Sequence, residues 1–74
     1  MGNAIITAST ADSGDTVYLT SCDAWTPDLA MAEVLEPEDF GWRLAFANRL
    51  REVSNAALRT VKTDTHGLPT GILA

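Results

Sequence analysis

Apolar residues recur on two different periods along this chain, and the change of period divides it. From Ala4 to Ser9 (Ala-Ile-Ile-Thr-Ala-Ser) and from Thr16 to Ser21 (Thr-Val-Tyr-Leu-Thr-Ser) the sequence is rich in β-branched residues, which suit a pleated strand. In the second run Val17, Leu19 and Ser21 fall on one face, and Thr16, Tyr18 and Thr20 on the other. Between the runs lies Ala11-Asp-Ser-Gly-Asp15. Asp12 can bond its own backbone two residues on, and Gly14 can supply the positive φ of a bulged loop. A β-hairpin is the expectation.

The period then lengthens. Glu36 to Arg51 (Glu-Pro-Glu-Asp-Phe-Gly-Trp-Arg-Leu-Ala-Phe-Ala-Asn-Arg-Leu-Arg) is the longest uninterrupted helical pattern. It predicts one continuous α-helix through residues 37–50. Pro37 suits the first helical position. Glu36, Glu38 and Asp39 sit at the positive end of the dipole, and Arg49 and Arg51 at the negative end. Stepping 100° per residue puts Phe40, Leu44 and Ala47 on one line and Trp42, Phe46 and Leu50 on another. Arg43 points between these lines, where a charge is not expected. Either its stem covers apolar surface while its head reaches water, or it pairs with a carboxylate at the seam between two flanking partners. An arc this broad predicts self-association through the Trp42/Phe46 side.

The remaining segments are less periodic. In Thr26 to Leu35, Thr26 as N-cap and Pro27 at the first position favour a helix. Pro37, however, stops any helix before Glu36, and a turn at Thr26–Asp28 followed by a third strand over Ala30–Leu35 is preferred. Val53-Ser-Asn55 reads as a helix stop and Leu58–Thr63 as a fourth strand, although a helix continuing to Val61 also fits the spacing. Asp64-Thr-His-Gly-Leu-Pro69 is a turn by composition, and Thr70–Ala74 either returns as a short edge strand or frays.

Seventy-four residues make one domain, close to the lower limit for a self-stabilising core. Charge is unevenly placed. Residues 1–42 hold eight acids and no base, whereas residues 43–74 hold five bases against Glu52 and Asp64. The halves either face each other in the fold or leave Arg49, Arg51, Arg59 and Lys62 as a patch for an acidic partner. A net charge of −5 argues against nucleic-acid binding, which needs a basic face. No apolar run approaches the ~20 residues of a membrane span, and no basic residue precedes the short Ala-Ile-Ile run as a secretory signal requires. Met1-Gly2 invites a myristoylation reading, but Ile6 stands where Ser or Thr is needed. With one cysteine there is no internal disulfide, and a soluble, cytoplasmic protein is expected.

Catalytic patterns are lacking. Gly14, Gly41 and Gly67 do not combine into a phosphate-cradling loop, and Ser13 and Ser54 lie in no nucleophile elbow. Cys22 and His66 are the residues a small redox or metal-dependent helper would use, yet no local ligand spacing accompanies them. Cys22 as a small turn residue and His66 as a solvated one are the simpler readings. Glu36, Glu38 and Asp39 are explained by the helix start. Tyr18, Trp25 and Trp42 read as core aromatics, with Trp25, if exposed, the first choice as a partner-binding anchor.

Ile6-Thr-Ala, Ser13-Gly-Asp-Thr-Val-Tyr-Leu-Thr20, Trp25-Thr-Pro-Asp-Leu-Ala-Met-Ala-Glu-Val34 and Asp64-Thr-His-Gly-Leu-Pro69 together resemble an alphaproteobacterial domain-of-unknown-function family, family 2849. Its members are short and often encoded beside assimilatory sulfite reductase genes. Cys22-Asp-Ala24 departs from the small glycine-rich residues usual there, and relatives tend to carry a basic tail beyond the position of Pro69. The resemblance implies no catalytic residues. By gene neighbourhood it implies a role in sulfite reduction.

The expected fold is α+β: a small, mostly antiparallel sheet packed on one helix, in the order β-β-β-α-β with a further final strand. The expected function is that of a non-enzymatic accessory or adaptor without cofactor, metal or catalytic residues. Sulfite reductase or a second copy is the expected partner, met through Trp25, Trp42, Arg43, Phe46, Arg49 and Arg51. The small redox or metal-dependent helper is the alternative.

Overall fold

The computed structural model describes residues 3–73; the Met1-Gly2 motif and Ala74 lie outside them. Five strands form one antiparallel sheet: β1 (Ala4–Thr10), β2 (Thr16–Leu19), β3 (Trp25–Thr26), β4 (Val53–Thr63) and β5 (Pro69–Ile72). Their order across the sheet is β3-β2-β1-β4-β5. The most apolar run of the chain therefore takes the central place, where both faces are covered and Ala4 to Ala8 are buried throughout. The fold is α+β, as expected, with a different assignment of its elements.

The first hairpin forms as the alternation predicts, with Thr7 opposite Tyr18 and Ser9 opposite Thr16. Val17 and Leu19 are buried on one side of β2. Gly14 takes φ +73° and donates its N–H to Thr10 O (3.0 Å). Asp12 plays no recorded part in the loop. The side-chain bonds come from its neighbours, Thr10 Oγ1 to Ser13 Oγ at 2.8 Å and Ser13 Oγ to Asp15 Oδ2 at 2.9 Å.

The third strand is Trp25–Thr26 rather than Ala30–Leu35. Side chains take over the backbone immediately afterwards. Thr26 Oγ1 accepts from Asp28 N (3.1 Å), and Asp28 Oδ1 accepts from Ala30 N (3.1 Å), turning the chain into a 3-10 turn over Leu29–Met31. Such local bonds compete directly with a ladder. Of the expected strand only a single bridge survives, Leu35 against Ala4.

The helix is also shorter than the pattern implied. Pro37–Asp39 form a 3-10 turn, and α1 spans Phe40–Ala47 only. Arg49 N and Leu50 N then bond Phe46 O and Ala47 O, three residues back. This tightening frees the chain for β4, which pairs Val53 with Thr10. Tertiary pairing overrides helical periodicity here. Arg49 and Arg51 consequently follow the helix instead of ending it.

Val53-Ser-Asn55 belongs to β4, not to a helix stop. Between the pairs Thr7–Ala57 and Ser9–Ser54 the register shifts by one residue, and Asn55 sits at φ +59°. This is a β-bulge, and Asn is among the few non-glycine residues that occupy the left-handed region without large strain. Asn55→Val is expected to destabilise the fold by about 1–3 kcal/mol, whereas Asn55→Gly should change stability little. Urea midpoints of the two variants check this; equal midpoints would remove the bulge from the account.

Both sheet faces carry core. Ile6, Leu19, Leu35 and Ala47 form a buried cluster against which Trp25, Phe40, Phe46, Leu50, Ala56 and Leu58 pack; α1 covers this side. On the opposite side Ile5, Ala32 and Val61 cluster with Tyr18, Leu29 and Val34. The 3-10 turn at Leu29–Met31 contacts both β2 and β5, so the sheet curls around this second cluster.

Candidate functional site

The most unusual side chain is Arg43. Phe40, Arg43 and Ala47 are spaced three and four residues apart, so they share one helical line, and that line faces the sheet. Arg43 is 5% exposed. Its head is withdrawn from water. It meets carboxylates of its own chain.

Arg43 Nη1 donates to Asp23 Oδ1 at 2.9 Å, and Nη2 donates to Thr20 O at 3.3 Å. Glu33 Oε1 lies 2.8 Å from Nη2, a close ion pair whose angle is off the hydrogen-bond direction. Nε is buried without a partner. The guanidinium carbon stands 5.2 Å from the Trp42 ring centre and 5.1 Å from that of Phe46, within cation–π range.

The β2–β3 turn is shaped to serve this pair. Thr20 Oγ1 accepts from Cys22 N and Ala24 N, and Asp23 takes φ +63°. Glycine would be the relaxed choice at that angle. Aspartate brings a carboxylate to the buried guanidinium instead.

Trp42 forms the outer edge of this cluster. It is 59% exposed, yet its Nε1 donates to Asp39 Oδ1 at 2.9 Å. Phe46 is half-buried against the core beneath α1, and Trp25 packs half-buried against the same cluster. Trp25 is thus mainly a core residue, with its Nε1 buried and unpartnered. Arg49 and Arg51 are exposed beyond the end of α1.

The four late cations do not make one patch. Arg59 pairs with Ile5 and Leu58 with Ile6, placing Arg59 on the sheet face away from α1. Lys62 is three residues further along the strand and alternates to the other face. Among the described residues the ion pairs are those of Arg43, so it is here that acids of the first half pair with a base of the second.

Cys22 is exposed in the β2–β3 turn, and His66 is exposed in the β4–β5 turn. There Asp64 Oδ1 accepts from the backbone N–H groups of His66 and Leu68. Among the described residues no group of three or more His, Cys, Asp or Glu is gathered to hold a metal ion. No helix among them is long and apolar enough to cross a membrane.

A family model described as "Protein of unknown function (DUF2849)" matches residues 4–72. The chain belongs to this family. The match runs from the start of β1 to the end of β5, so DUF2849 corresponds here to the whole curled sheet with its helix, including all three hairpin turns and the Arg43 pair. No curated protein and no solved structure matches the chain.

Proposed function

We propose that this DUF2849 chain is a non-enzymatic, cytoplasmic accessory protein that binds a protein partner through the outer side of α1, with Trp42 as the anchor and Arg49 and Arg51 beside it. One observation carries the reading: an indole that is exposed but held. The bond to Asp39 and the guanidinium beneath its ring restrict the rotamers of Trp42 before anything binds. Less side-chain entropy is then lost on association, and tryptophan is the residue type most enriched among interface hot spots. The sequence resemblance to proteins encoded beside assimilatory sulfite reductase nominates that enzyme as the first partner to try, and self-association through the Trp42/Phe46 side as the second.

Trp42→Ala is expected to change stability by less than about 1 kcal/mol, because the ring is mostly solvated. Binding to purified sulfite reductase subunits should weaken by at least about 2 kcal/mol, some thirtyfold. Titration by biolayer interferometry, with urea unfolding alongside, separates the two effects. Unchanged binding by a folded Trp42→Ala variant would rule out this surface. If wild-type protein binds neither subunit, sulfite reductase is removed as the partner, and sedimentation showing a strict monomer at high concentration removes self-association.

A further inference from the structure

Away from α1, the curled sheet encloses a half-open cleft of about 290 Å³ that Thr7, Ser9, Thr16, Asn55, Arg59 and Ile72 help to line. Pair register explains why these residues meet. Ser9 is opposite Thr16, and Thr7 is one pair further along the same face. Arg59 is opposite Ile5 on that face, and the bulge at φ +59° turns Asn55 toward the same opening. Thr7 is a buried polar residue at the floor, while Thr16, Asn55, Arg59 and Ile72 are exposed at the rim.

The chemistry of this lining differs from the rest of the surface. The chain carries ten acids and a net charge of −5, yet among the described residues no aspartate or glutamate lines the cleft. Two threonines, a serine, an asparagine and an arginine do, and Arg59 forms no ion pair among the described residues. Hydroxyl and amide donors around a single guanidinium are complementary to an oxyanion, which accepts several charge-assisted bonds at once. A bare phosphate would leave part of the volume empty, and Ile72 offers an apolar wall for the remainder of a larger ligand.

We propose that this cleft binds a small phosphate-type oxyanion, with Arg59 supplying the charge and Thr7, Ser9, Thr16 and Asn55 the orienting donors. The site is separate from α1 and does not depend on the Trp42 surface. The test is a two-dimensional amide NMR titration of the full chain with inorganic phosphate and, separately, with glycerol 3-phosphate. Saturable shifts are expected at Thr7, Ser9, Thr16 and Asn55. Tighter binding of the ester would identify an organic phosphate as the ligand, and equal affinity would identify the free anion. Arg59→Gln should weaken binding at least about tenfold, as loss of a charge-assisted bond does. Asn55→Gly keeps the bulge conformation and should weaken it less. Arg49→Gln, away from the cleft, should leave it unchanged. Shifts that never saturate, or equal losses from Arg49→Gln and Arg59→Gln, would overturn the site in favour of diffuse charge attraction.

Discussion

Removing both carboxylates that face Arg43, as Asp23→Gly with Glu33→Gln, is expected to destabilise the protein by about 3–5 kcal/mol, more than removing the arginine itself. The asymmetry follows from burial. Arg43 is 5% exposed, so its charge stays poorly hydrated when the carboxylates are gone, and only Thr20 O, an uncharged carboxamide and two aromatic faces remain to it. The carboxylates are better placed to survive the opposite change. The side chains of Asp23 and Glu33 are 54% and 30% exposed, and after Arg43→Met both can turn to solvent. Arg43→Met should therefore cost only about 1–2 kcal/mol, from the lost hydrogen bonds and cation–π contacts. Glycine at position 23 suits φ +63°, so backbone strain does not add to the double variant. A domain of this size holds about 3–5 kcal/mol in total, and the double variant should be largely unfolded at room temperature. Urea midpoints in the reverse order, with Arg43→Met the weaker protein, would mean that the pair contributes packing rather than charge compensation.

This ion pair also shows how far a single sequence reaches. The anomaly was legible: a lone cation centred in an apolar arc, following 42 residues with eight acids and no base. Its partners were not, because Asp23 and Glu33 lie 20 and 10 positions earlier and are brought in by a turn and an irregular segment. Period-2 alternation and Gly14 sufficed for the first hairpin, since both are local signals. Where local and tertiary preferences disagree, pattern alone points the wrong way. Asn48 to Leu50 continue the helical spacing, but β4 must begin at Val53 to pair with Thr10. Asn55 looks like a breaker because it favours the left-handed region, and it occupies that region inside a strand. The cleft was the least visible feature. Its donors are single hydroxyls and an amide drawn from three strands, and none stands out until the register places them on one face.

Ile5→Ala and Ile6→Ala are each expected to cost about 2–5 kcal/mol, although the two side chains point to opposite faces of β1. Ile5 is 0% and Ile6 1% exposed, so neither site has solvent with which to fill the space left behind. Ile6 holds α1 against the sheet through Leu19, Leu35 and Ala47; Ile5 holds the segment around Ala32 through Val61 and Leu29. One possible outcome is that these clusters melt separately, with Ile5→Ala releasing only the irregular segment. The chain path argues otherwise. Leu35 closes the second segment yet belongs to the first cluster, and it is bonded in both directions to Ala4 (2.7 and 3.2 Å). Glu33, in the same segment, donates its backbone N–H to Leu19 O (2.9 Å) and faces Arg43. Loss of the second cluster therefore loosens the carboxylate that compensates the buried guanidinium on the first. Ile5→Ala should shift tryptophan fluorescence and backbone circular dichroism together in a single urea transition, even though both tryptophans belong to the α1 side or its edge. Two separated transitions would show that the curled sheet has independent halves, and that α1 with its ion pair does not need the segment wrapped behind β1.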